Sequence, residues 1–245
     1  MRFRSAALSR NGTAGTLGTV AREVLAFVQQ GLLIHHDTAE PVIPDDVTPG
    51  EDVVIFLHGL FATAGVLRPL RAAVARHASL RTAAVTYFPG PGVEAIAEKL
   101  RDLVAAIPAH AHLHFVGHSL GGVVSRWFAL ESGDTRIVQT ISMAAPFAGV
   151  PRAAWLGIQS TRDLDAESPV LRHIRLHPRA ASIPHLSIIA GADTLVDAPV
   201  AHALPGGDVL VMEARGHNSL LFDDDVARAV ELRILSRRGG LHGAP

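Results

Sequence analysis

One serine stands between two glycines in Gly117-His118-Ser119-Leu120-Gly121, within the stretch HLHFVGHSLGGVVSRW at 112–127. A Gly-x-Ser-x-Gly run arises by accident in roughly one chain in a dozen of this length, so the spacing alone decides nothing. Its flanks carry more weight. An apolar run ending at Phe115-Val116 precedes the serine, and a run rich in Val, Trp, Phe and Leu follows it. That is the pattern of a strand turning sharply into a helix. Such a turn crowds the positions two before and two after the serine, where Gly117 and Gly121, with Gly122 beside them, have no side chains to clash. The hydroxyl is then held at a helix N-terminus, whose amides favour developing negative charge.

A hydroxyl of ordinary acidity is a poor nucleophile. It needs a base within hydrogen-bond reach, and the base needs an orienting acid. Behind a strand–serine–helix turn these partners follow in the order acid, histidine. Asp193, in GADTLVD, comes just after the apolar run HLSIIAG, and His217, in ARGHNSLLF, just after DVLVME. Asp197, four residues beyond Asp193, is the rival acid. His173, His177, His185 and His202 are rival bases, but none of them follows the last strand. His118 is next to the serine in sequence, yet the bend points it away from the hydroxyl, and a place in the pocket wall suits it better. An oxyanion would need two backbone donors. Leu120 N–H is one. Leu60 N–H, in LHGLFATAG after the early strand, is the other, with Phe61 as its alternative. Leucine side chains at 60 and 120 suit an apolar acyl chain.

The elements that must position these groups alternate. VVIFLHG (53–59), RTAAVTYF (81–88), LHFVG (113–117), IVQTISMAA (137–145), HLSIIAG (185–191) and DVLVME (208–213) read as strands. Helix-like segments lie between them, among them one marked by Val93, Ile96, Ala97, Leu100, Val104 and Ile107. Three acids at 223–225 open a last helix that ends in arginines, as the macrodipole favours. The alternation predicts one doubly wound, mostly parallel α/β sheet with helices on both faces. It occupies residues 51–238, with an insertion at about 147–184 that breaks the rhythm and is expected to form a short lid or cap over a cleft. Before it, residues 1–50 read as a frayed tail of some 15 residues, a helix and a Pro-rich loop; residues 239–245 read as a C-terminal tail. In the N-terminal helix Leu17, Val20, Val24, Phe27 and Val28 share a face, with Arg22 and Glu23 off it. That face is expected to pack on the domain; the second reading is an interfacial helix on a membrane or lipid droplet.

Composition excludes other chemistries. The 245 residues hold no cysteine, so disulfides, thiolate metal sites and cysteine nucleophiles are absent together. The 14 histidines form no metal-binding motif, so no metal and no cofactor are expected. A net charge of −1 gives no field to draw in nucleic acid or an anionic membrane. No apolar run is long enough to span a bilayer, and the N-terminus is a poor secretory signal, so the expected location is cytoplasmic, with secretion or peripheral membrane association second.

FLHGLF, VGHSLGG, AAPFAG, IIAGADTLV and GHNSLLF, in that order, resemble the α/β-hydrolase superfamily, and within it bacterial triacylglycerol-lipase-type and GPI-inositol-deacylase-like esterases. The resemblance spans roughly residues 52–235. It implies Ser119 as nucleophile, Asp193 as acid and His217 as base. Many such lipases carry Thr-Pro-His where this chain has Ala145-Pro146-Phe147; Phe147 keeps bulk, loses a polar group, and joins Phe61 and His118 as an expected pocket residue. RDLDAESPVLRHI is similar to the segment that closes the lid, while the structural calcium site of such lipases does not carry over. The expected reaction is cleavage of a small-molecule or lipid carboxylic ester through an acyl-enzyme on Ser119. Thioester hydrolysis or acyl transfer by the same triad is the alternative, followed by haloperoxidase or peptidase chemistry and by a non-catalytic ligand-binding role.

Overall fold

Continuous apolar runs become strands buried on both faces. A computed structural model describes residues 3–5, 12–151, 153–196 and 198–241. Its strands are β1 (Phe3–Ser5), β2 (Asp52–Leu57), β3 (Leu80–Val85), β4 (His112–His118), β5 (Ile137–Met143), β6 (His185–Ala190) and β7 (Asp208–Met212). They form one sheet in the order β1-β7-β6-β5-β4-β2-β3, and every neighbouring pair is parallel. The helices are α1 (Gly12–Leu33), α2 (Arg68–Val74), α3 (Val93–Ala105), α4 (Leu120–Glu131), α5 (Gln159–Arg162), α6 (Pro169–Leu176) and α7 (Asp224–Leu241).

Alternation along each strand splits the core into two layers. Val53, Ile55 and Leu57 pack with α3, α4 and the insertion; Val54, Phe56 and Val116 pack with α2 and α7. The six apolar positions that mark the helix at 93–107 in the sequence are all buried in the first layer. After β2 the chain steps outward to β3, then returns to lay β4 on the other side of β2. The winding direction reverses between β2 and β4, and a crevice opens there at the C-terminal edge of the sheet.

The structure corrects three expectations at the ends of the chain. Phe3–Ser5 is not a frayed tail; it pairs with Val209–Val211 as the edge strand. The C-terminal helix reaches Leu241, into the span read as a tail. The N-terminal helix docks by the opposite face from the one its apolar pattern suggests. Val24, Phe27 and Val28 are exposed at 58%, 56% and 54%, whereas Ala26 is buried at 1%. Arg22 donates to the carbonyl of Ala214 at 3.1 Å, and Glu23 accepts from Asn218 and Ser219. The surface that receives α1 is a loop of backbone N–H and C=O groups that need polar partners, so the polar side of the helix turns inward. The side chain of Leu17 lies outside the described residues, as does Asp197.

Among its described residues the insertion at 147–184 holds no strand, only α5, α6 and two 3-10 turns, Ala153–Leu156 and Pro178–Ala181. Asp163 anchors it by accepting from Val93 N–H, the first amide of α3, at 2.7 Å. At its far end Arg126 of α4 donates to the carbonyls of Ile183 and Ala180 at 2.8 and 2.7 Å. Burial pushes the Arg126 guanidinium down to about 10, which leaves it charged at neutral pH. Among the described residues no helix is long and apolar enough to cross a membrane.

Candidate active site

Four loops at the C-terminal edge of the sheet converge on the crevice. After β2 the chain turns through His58, Gly59 and Leu60. Tyr87 braces this turn: its hydroxyl donates to the His58 carbonyl, and its backbone N–H donates to His58 Nε2 at 3.1 Å. The proton of His58 is therefore on Nδ1, which donates to the Gly59 carbonyl at 2.8 Å. Burial lowers the His58 pKa to about 4 and keeps the ring neutral.

The second loop is the turn from β4 into α4. Ser119 has φ 51° and ψ −120°, and its N–H donates to the Met143 carbonyl at 2.8 Å. A non-glycine residue held there costs about 1–3 kcal/mol and persists only where its surroundings fix it. The glycines are what let those surroundings close in. A Cβ on Gly117 would lie 2.2 Å from the carbonyl oxygen of Gly121, and one on Gly121 would lie 2.3 Å from that of Leu57. Leu120 begins α4, so its N–H is among the free donors of the helix N-terminus.

The third and fourth loops bring Asp193 and His217 together. Asp193 Oδ1 accepts from the N–H groups of Leu195 and Val196 at 2.8 and 3.1 Å, which fixes the turn after β6. Its Oδ2 accepts from His217 Nδ1 at 2.7 Å. With the proton on Nδ1, the neutral ring carries its lone pair on Nε2. His118 secures the same loop from the side: its Nε2 donates to the His217 carbonyl at 3.0 Å, with the two rings edge to face at 4.9 Å. Burial, and then the neighbouring His217, lower the His118 pKa to about 3.

Ser119, His118, His217, Gly59, Leu60 and Phe61 line one cavity of about 540 Å³. The insertion supplies another wall through Val150, Ala153, Leu156 and Leu164, and α1 a third through Phe27, Gly31 and Ile34. Two expected wall residues are not part of it. The Leu120 side chain is fully buried in the core below, so position 120 faces the cavity, at most, through its backbone. Phe147 is buried with its ring 5.4 Å from that of His185 and borders a separate pocket, while Pro146, one residue earlier, takes the wall position. Neither orientation is readable from residue type. The polar contacts of Glu23 and Tyr87 also escape sequence reasoning, because no local pattern marks a side chain that acts on a loop distant in sequence.

One side-chain group resembles a metal site. Glu131, His173 and His177, between α4 and the end of α6, bring their ligand atoms within 4.8 Å of one another. Glu131 Oε1 lies 2.8 Å from His173 Nε2 and 3.0 Å from His177 Nε2. His177 Nδ1, however, accepts from the N–H of Arg179 at 3.1 Å, so its proton is on Nε2 and points at the carboxylate. A metal ion binding here would have to displace that proton. The group is a carboxylate held by imidazole donors; the His173 hydrogen bond is the main cause of a lowered Glu131 pKa.

No protein-family model matches the chain, and comparison with curated protein sequences finds no match. Solved structures are similar in fold. A Bacillus licheniformis lipase in its mature form superposes with a TM-score of 0.62 at 16% identity, over 80% of this chain and 97% of that one. A metagenome-derived lipolytic enzyme gives 0.62 at 18% identity, over 82% and 98%. A Bacillus subtilis carboxylesterase gives 0.58 at 16%, over 94% and 100%. The architecture is the α/β-hydrolase fold.

Proposed function

We propose that the protein is a serine hydrolase of carboxylic esters. One observation carries the reading: a serine on a strained strand-to-helix turn and a histidine oriented by an aspartate line the same largely apolar cavity. In this mechanism Ser119 Oγ attacks the ester carbonyl carbon and passes its proton to His217 Nε2. The resulting oxyanion takes hydrogen bonds from the N–H groups of Leu60 and Leu120. Collapse breaks the bond to the alcohol, which leaves with the proton from Nε2 and leaves the acyl group on Ser119. Water then repeats the sequence with His217 as base, and the carboxylic acid is released. Asp193 holds a proton on Nδ1 throughout and stabilises the imidazolium formed when Nε2 takes up the serine proton. The lipase and carboxylesterase neighbours support this chemistry at the level of fold.

The walls and rim favour an apolar acyl chain. Phe27, Phe61, Leu156 and Leu195 line the cavity and are also exposed at its mouth. Residues 147–184 act in this reading as a lid, and the substrate is a water-insoluble ester met at an interface. A fluorophosphonate probe is expected to label the wild type and not Ser119→Ala; equal labelling of both sinks the assignment. A rate that jumps above the solubility limit of a long-chain ester supports the lid, and a smooth saturation curve through that limit removes it.

A further inference from the structure

We propose that Glu23 is a positioning residue for His217, so that the N-terminal helix α1 belongs to the catalytic unit and is not an appendage. The proposal rests on the reading of His217 as the base. After β7 the chain turns back through Ala214–Ser219 and enters a 3-10 turn at Ser219–Phe222. The first amides of such a turn have no partner within it. Glu23 supplies one from α1. Its Oε1 accepts from Asn218 N–H and from Asn218 Nδ2, both at 2.8 Å, and its Oε2 accepts from Ser219 N–H at 3.0 Å. One carboxylate thus gathers three donors from the two residues directly after His217.

The fit is close. A Cβ on Gly216 would lie 2.4 Å from Glu23 Oε2, so a side chain before His217 would push the carboxylate off its three donors. On the other side of the loop His118 holds the His217 carbonyl. Asp193 therefore fixes the ring, while Glu23 and His118 fix the backbone from which the ring projects. Packing needs alone do not account for this choice. Val24 and Val28 of the same helix offer apolar surface for docking, yet they face outward and the carboxylate faces in. A reacting nitrogen displaced by about 1 Å costs on the order of a hundredfold in rate, so a loop clamp of this kind acts on kcat.

The full-length chain tests this with Glu23→Gln, Glu23→Ala and Gly216→Ala, assayed on a short, soluble p-nitrophenyl ester and by amide hydrogen exchange over residues 214–222. The Glu23→Gln change keeps the volume and one acceptor oxygen but turns an NH₂ toward a backbone N–H. We expect kcat to fall about tenfold in Glu23→Gln and about 10- to 100-fold in Glu23→Ala, with KM within about twofold of wild type. Exchange at 218 and 219 should quicken in both. Gly216→Ala should reproduce the loss, and the Gly216→Ala/Glu23→Ala double variant should be no slower than Glu23→Ala alone, since the added methyl then meets no carboxylate. Unchanged kcat with a raised KM would overturn the proposal and leave α1 as cavity wall only; unchanged kcat with unchanged exchange overturns it as well. Should Glu23→Ala fail to fold, the isosteric Glu23→Gln decides by the same split. A wild type that takes up no fluorophosphonate removes the functional reading instead, and the exchange data alone then decide whether Glu23 orders the loop.

Discussion

At the scale of single residues, Asp193 holds two structures at once, and its two oxygens separate them. Oδ1 closes a turn on the amides of Leu195 and Val196, while Oδ2 holds the imidazole. Asp193→Asn should keep the turn, because its amide oxygen still accepts those N–H groups, and lose control of the histidine tautomer. We expect kcat to fall by about 10⁴ with the melting temperature nearly unchanged. Asp193→Ala should show the same kinetic loss and also cost roughly 1 kcal/mol from the open turn. Steady-state kinetics and thermal melts on the pair read this directly; an Asn variant that loses stability but keeps its rate would reverse the assignment of the two oxygens. His118 is the neighbour of the serine in sequence and the obvious base on paper. Its proton is committed to the His217 carbonyl, and burial keeps it uncharged. That Ser119, Asp193 and His217 meet at one edge of the sheet was legible because strand ends and chain order constrain them. The directions of Leu120 and Phe147 were not, since residue type does not say which side of a backbone a side chain occupies.

At the scale of elements, two features divide what pattern reveals from what packing decides. The turn at Ser119 was legible in full, because its glycines answer a steric demand made by close neighbours. Gly121→Ala would drive a methyl to 2.3 Å from the Leu57 carbonyl oxygen and 2.6 Å from that of His58, both backbone atoms of the adjoining strand and loop. Neither can yield without moving the start of α4 away from the end of β2. We expect a loss of about 3 kcal/mol or more in urea denaturation, and a near-neutral result would mean that the helix and the strand end are not packed this closely. The N-terminal helix was legible as a helix but not in its orientation. Its apolar stripe satisfied the rule for a docking face, yet the receiving loop presents unpaired amides and a carbonyl, and the demand of those groups prevailed over apolar burial. That inversion is itself testable. Val24→Ser with Val28→Ser should change stability by no more than about 0.5 kcal/mol per site, whereas a helix docked by this face would lose several times that. If the exposed stripe meets a lipid surface, the same double variant should lose rate on an emulsified long-chain ester and keep its rate on a short soluble one.

At the scale of the whole molecule, three of the buried histidines, His58, His118 and His185, bear on how the fold answers acid. His58 braces the loop after β2, His118 lies in the serine turn, and His185 sits in β6 with both ring nitrogens hydrogen-bonded to Thr140 and Ser142. Burial is the leading cause of the depressed pKa in all three: to about 4 for His58, about 3 for His118, and well below the ordinary value for His185. An unfolded chain has no such burden and protonates its histidines near their ordinary value of about 6.5. Between that value and about 4 the unfolded state therefore binds protons that the folded state refuses. The sign follows: stability is fully present above about pH 6.5 and is lost as the pH falls toward the folded values. Each histidine contributes about 1.4 kcal/mol per pH unit once its unfolded form is protonated, so the three together approach roughly 4 kcal/mol per unit. A fold of ordinary stability, about 5–15 kcal/mol, is exhausted within a few units of that slope. Urea denaturation at pH 7.5, 6, 5 and 4.5 should show a flat region followed by a steep decline, and His58→Gln should reduce the decline by about one third. Constant stability from pH 7 to 5 would mean that these rings reach solvent. Protonation of His58, His118 and His185 should remove the secondary structure of the sheet, followed by circular dichroism, at the pH where the slope meets the stability reserve.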